Sequence, residues 1–152
     1  MANFAIKLAR LPLLIPAALT VLVVRILGRF GIIIRFGNFL SNRIGHLVGN
    51  TEVYLCERDE GQHPYIDIWT HYGEVASSQI DKMLRRILHI WPSRFTALVM
   101  VISKMFPGWE RHDIGSKHLD RDPENLLAKY PAHLKFTSLE IARAEKTLHD
   151  WG

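Results

Sequence analysis

The sequence predicts a layered α/β domain on a mostly parallel sheet, partial in its strand number and preceded by a hydrophobic N-terminal helix. Three observations carry this reading. Apolar residues make up 48% of the chain and concentrate before residue 41. Behind them, short runs rich in β-branched and aromatic residues alternate with longer stretches of helical periodicity. Glycine, proline and helix-capping residues fall between those runs. A chain of 152 residues has room for a membrane segment, 1–28, and one α/β domain, 29–152.

Leu11–Val24 carries no charge, with Lys7 and Arg10 before it and Arg25, Arg29 and Arg35 after it. As a helix it reaches about 21 Å, short of a ~30 Å hydrocarbon core. Spanning would recruit Phe4–Leu8 or Ile26–Leu27 and tolerate Pro12 and Pro16. A kinked helix lying in the interface, with Leu11, Leu14, Ile15, Leu19, Leu22 and Val23 toward lipid, demands less. A secretory signal shares the basic-then-apolar shape, but Val23-Val24-Arg25-Ile26 offers no small-x-small cleavage site. A buried core helix is the remaining reading. If the segment spans, the heavier basic flank on its C-terminal side puts the globular part on the cytoplasmic face.

The following elements are read in order. Arg29–Arg35 is a buried strand ended by Gly37-Asn38, and the loop 37–42 leads to a helix capped by Ser41 or Asn42. Tyr65–Trp69 alternates as a second strand, and Ala76–Leu88 is an amphipathic helix. His89–Trp91 is a short third strand, and Ser93 caps a helix from Arg94 to about Phe106 that Pro107-Gly108 breaks. Residues 109–122 read as polar and irregular. Asp122-Pro123-Glu124 opens a short helix, and Thr137 with Glu140 forms a capping box for a last helix reaching about Asp150.

Residues 43–58 are the most informative stretch. At ~100° per residue they sort into three faces: apolar (Ile44, Leu47, Val48, Thr51, Tyr54, Leu55), polar (Arg43, His46, Asn50, Glu57) and small (Gly45, Gly49, Glu52, Cys56). Each glycine costs a helix about 1 kcal/mol relative to alanine, and close approach of a backbone or ligand is the usual reason to keep one. Arg43, Gly45 and His46 fall in the first turn, where free N–H groups and the helix dipole collect anions. Arg43 suits a phosphate; His46 suits a donor or general base. Asn50 suits a sugar hydroxyl. Glu52 suits either a base or a clamp on neighbouring backbone N–H groups. The bland alternatives are a surface ion pair for Arg43, a loop cap for His46 and structural roles for Asn50 and Glu52.

Arg43-Ile44-Gly45-His46, Asn50-Thr51-Glu52 and Tyr54-Leu55-Cys56-Glu57-Arg58-Asp59 resemble the signature of a bacterial glycosyltransferase family, in which such a motif follows a short hydrophobic segment and a first strand. The resemblance is strongest over residues 30–61 and weaker through Tyr65–Trp69, Gln79–Met83 and Phe136–Glu140. Because members of that family run longer, it implies an N-terminal, acceptor-side part with a Rossmann-like, GT-B-like fold, completed by a C-terminal domain or second chain that grips a nucleotide sugar. It further implies a glycan or lipid-linked acceptor, a membrane lipid surface as partner, the bacterial inner membrane as location and no metal cofactor. The alternative class is a non-catalytic, membrane-tethered domain that binds a saccharide or a partner.

Other signals are weaker. Asp120-Arg121-Asp122 matches a metal-diphosphate pattern, but Asp122 is already explained as a cap and no hydrophobic strand precedes it. The eight histidines show no zinc spacing, and the single cysteine, Cys56, permits no internal disulfide, which suits a reducing compartment. A net charge of +4 is spread among acids and apolar faces, so nucleic acid is not an expected partner.

Overall fold

The computed structural model describes residues 11–61, 65–117 and 122–151. Leu11–Arg29 forms helix α1. It runs on through Arg29, where the sequence places the start of a strand, and stops in a Schellman motif. Ile32 N–H donates to Leu27 O at 3.1 Å and Gly31 N–H to Gly28 O at 3.4 Å, with Gly31 at φ +84°. Strand β1, Ile33–Leu40, follows. It passes straight through Gly37-Asn38, which therefore do not end it. Gly37 is there because the Trp69 ring lies on it: a Cβ would stand 2.6 Å from Trp69 Cζ3.

Helix α2 (Ile44–Gly61) leads to β2 (Tyr65–Tyr72), α3 (Ser78–Ile87), β3 (His89–Ile90) and α4 (Ser93–Ser103). Ser93 is the first residue of α4 and not its cap; the Pro92 carbonyl accepts from Thr96 N–H at 3.0 Å and from its hydroxyl at 3.1 Å. A 3-10 turn, Trp109–His112, delivers β4, Asp113–Lys117, inside the stretch expected to be irregular. This strand is polar apart from Ile114, so no hydrophobic strand comes before Asp122 in this stretch; Asp120 and Arg121, like Lys7 and Arg10, lie outside the described residues. Asp122-Pro123-Glu124 do not open the short helix: α5 is Leu126–Lys129 and its N-cap is Asn125 at φ 53°, while the Asp122 carboxylate reaches in from the preceding turn to accept from Leu126 and Leu127 N–H at 2.9 and 2.8 Å. The Thr137–Glu140 capping box opens α6, Ser138–Trp151.

The sheet order is β3-β2-β1-β4 and every pair is parallel. Side chains alternate across it with period 2. Phe39 and Trp69 face α2 and α3 and pack with Leu47, Tyr54, Leu55, Leu84 and Leu88. Phe39 stacks on Trp69 with centroids 3.9 Å apart. Phe36 and Ile68 face the other way, against Ala17, Val21 and Val24 of α1 and Val99 of α4. Helix α1 thus buries one stripe on the sheet, while Leu14, Ile15, Leu19, Leu22 and Val23 stay exposed, Ile15 at 72%. The side chain of Leu11 lies outside the description.

Candidate functional site at the carboxyl ends of the strands

Strands β1 and β2 run in register from Ile33↔Tyr65 to Leu40↔Tyr72, so both stop at one level. From β1 the chain crosses to β2 on one side, while β4 lies on the other, which makes the end of β1 the point where strand order reverses. Open parallel sheets hold ligands at such a point. The loop that turns here is tied down rather than used as a cap. Ser41 is buried, its hydroxyl donating to Tyr72 O at 3.0 Å, and its carbonyl accepts from Ala76 N–H at 2.8 Å.

Helix α2 then starts with Leu47 N–H on the Arg43 carbonyl at 2.9 Å. The N–H groups of Ile44, Gly45 and His46 precede that bond and have no acceptor one turn back within the helix. Arg43 and Gly45 are exposed and His46 is half-buried. Arg43 has no ion-pair partner among the described residues. A Cβ added at Gly45 or Gly49 would meet nothing within 4 Å. Neither glycine is explained by a close approach within the described chain; the upper half of their face opens outward.

The lower half is closed, and there the expectations change. Asn50 is buried, 3% exposed, so it does not join the opening. The Glu52 carboxylate accepts from His133 and Leu134 backbone N–H groups at 3.0 and 2.6 Å, and Oε2 lies 3.0 Å from His133 Nδ1. Of its two expected roles it fills the clamp, on a segment far along the chain and not on a strand. His133 Nε2 reaches Asp59 at 3.0 Å, and that contact, against burial, holds the Asp59 carboxyl below the usual range. Cys56 is buried beside Glu52, and burial pushes its thiol pKa up, away from a nucleophilic thiolate.

Two polar groups beneath the helices went unread in the sequence. Arg35 grips Asp67 with Nε at 2.7 Å and Nη2 at 2.6 Å, and the Tyr54 hydroxyl donates to the same carboxylate at 2.6 Å. Burial first, then that hydrogen bond, push the Tyr54 phenol far up, with Trp69 opposing. This bond pins α2 to β1 and β2. Near the end of β2, His71 Nε2 lies 2.7 Å from Asp81, which also accepts from Arg85 at 2.9 Å. These partners, working against burial, keep Asp81 below the usual carboxylate range. The His71 side chain is 9% exposed, and its buried Nδ1 has no partner among the described residues. The helical i, i+4 spacing of Asp81 and Arg85 is visible in the sequence; their closeness to His71 depends on the sheet. Among the described residues no three His, Cys, Asp or Glu side chains gather as a metal-binding group.

Comparison with family models, curated proteins and solved structures finds no match to this chain.

Proposed function

We propose that this chain is the acceptor-side part of a membrane-associated glycosyltransferase that moves a sugar from a nucleotide sugar to a glycan or lipid-linked acceptor. One observation carries the reading: the start of α2, with exposed Arg43 and an open Gly45, lies where strand order reverses at the carboxyl ends of the sheet. The strand order also matches one half of a Rossmann-like sheet, which supports the GT-B-like assignment. In this mechanism Arg43 and the helix terminus stabilise the leaving diphosphate, and His46 takes the proton of the acceptor hydroxyl. A C-terminal domain or second chain grips the nucleotide sugar, and no metal is required. Glu52, occupied by residues 133 and 134, leaves the base role to His46.

The membrane part of the reading rests on α1. Its window Pro12–Arg29, with mean hydropathy 1.7, is long and apolar enough to cross a bilayer by length and composition. A helix that seats Ala17, Val21 and Val24 on the sheet cannot also be ringed by lipid, which favours an in-plane helix at the cytoplasmic face of a bacterial inner membrane. The non-catalytic scaffold reading draws on α6, which buries none of its residues and exposes Leu139, Leu148 and Trp151.

The test is turnover of nucleotide sugars by the native protein, at whatever length it is made, purified with its membranes. His46→Ala is expected to lower kcat by about 10²-fold or more, and Arg43→Ala by about 10²–10³-fold. No turnover with any nucleotide sugar, or unchanged turnover in both variants, would sink the transferase reading and leave the scaffold.

A further inference from the structure

Where α1 ends, a cleft of about 460 Å³ opens between its last turns and the end of α4. Leu22, Ile26 and Phe106 line it, Arg25, Arg29 and Arg111 stand around it, and among the described residues no carboxylate lines it. Arg25 is held in place: its Nη2 donates to Pro107 O at 2.9 Å and its guanidinium lies over the Phe106 ring, 5.3 Å from the centroid. Arg111 touches Gly28 O only at 3.5 Å, a distance at which a hydrogen bond is weak, and Arg29 has no ion-pair partner among the described residues. Three like charges beside an apolar cavity are complementary to one kind of ligand, an anion with an apolar body. Leu22 and Ile26 also belong to the exposed apolar side of α1 that continues through Ile15, Leu19 and Val23, so the cleft borders the surface that would meet lipid.

We propose that this cleft seats one anionic phospholipid, its phosphate on Arg29 and Arg111 and the start of an acyl chain against Leu22, Ile26 and Phe106. Guanidinium groups bind phosphate through paired N–H donors, and the apolar lining favours a chain over a free anion. The proposal rests on the membrane half of the functional reading and not on the transferase half.

Flotation with phosphatidylcholine vesicles, with and without phosphatidylglycerol, tests it. The full chain is expected to float with phosphatidylglycerol, and Arg29→Gln with Arg111→Gln to weaken that binding about thirty-fold, from ~1 kcal/mol per basic residue at an anionic surface. Arg143→Gln with Lys146→Gln removes the same charge from α6, away from the cleft, and should cost far less. Equal losses in the two pairs, or equal flotation on both vesicles, would overturn the proposal. Dihexanoyl phosphatidylglycerol should displace the protein at concentrations where glycerol 3-phosphate does not; equal displacement identifies a free-phosphate site instead. A dimer that forms without vesicles and that the Arg29/Arg111 pair of substitutions breaks would also overturn it. None of these readouts involves sugar transfer, so the lipid site and the enzymatic reading fail separately.

Discussion

At Gly37 the backbone of the central strand passes directly beneath the Trp69 ring, and the space a side chain would need is already filled. Gly49, on α2, has nothing within 4 Å of where a Cβ would be. The same substitution should therefore have opposite signs at the two sites. Gly37→Ala is expected to destabilise by about 1–3 kcal/mol, as overpacking does, and Gly49→Ala to stabilise by about 0.5–1 kcal/mol through helix propensity. Denaturant titration of the pair checks both signs. A sequence reading inverts these residues, because a glycine inside a helical pattern looks costly while Gly37-Asn38 looks like a turn. What separates them is a ring 32 positions away in the β1–β2 register, Gly37↔Trp69. That Arg43 and His46 both fall at the start of α2 follows from local spacing alone, and the structure keeps them there, Arg43 exposed and His46 half-buried. The surroundings of Glu52 and Asn50 were not legible, since what covers them comes from distant parts of the chain.

Among the elements, those whose signals are local were legible. The Thr137–Glu140 box is complete within four residues, and α6 begins there in the structure. Strand β4 was missed because Asp113-Ile114-Gly115-Ser116-Lys117 has little intrinsic strand preference; it is held by pairing with β1 and by Asp113 accepting from Gly115 N–H at 2.8 Å. The capping box also sets a pH dependence. Backbone donation from Thr137 first, then Gln79, the Thr137 hydroxyl and Arg86, hold the Glu140 carboxyl at about 2, against an ordinary 4.5. A lowered folded-state value contributes stability that is present above pH 4.5 and lost as pH falls toward 2. The protection factors of the Thr137 and Ile141 amides, exchange measured against unstructured peptide at the same pH, should therefore fall over that interval, together with loss of the Arg86–Glu140 link to α3, and stay level between pH 5 and 8. Glu140→Gln should flatten the profile.

On the scale of the whole molecule, α1 is part of the fold's second layer as well as its most apolar surface. Ala17, Val21 and Val24 cover Phe36 and Ile68, so removing residues 1–29 would open one face of the sheet. The truncated chain is expected to lose cooperative thermal unfolding and to aggregate on size exclusion. A soluble, cooperatively folding truncation would mean that α1 is only an anchor. Strand order has a consequence in time. The chain's first strand sits between β2 and β4, and its partner at Phe36 is Asp113. At ~5–20 residues per second of synthesis, one edge of β1 waits roughly four to fifteen seconds for the residues that close it. Throughout that interval α1 has already left the ribosome with its apolar surface bare, so during translation a lipid surface can reach the helix before the fourth strand can reach the sheet.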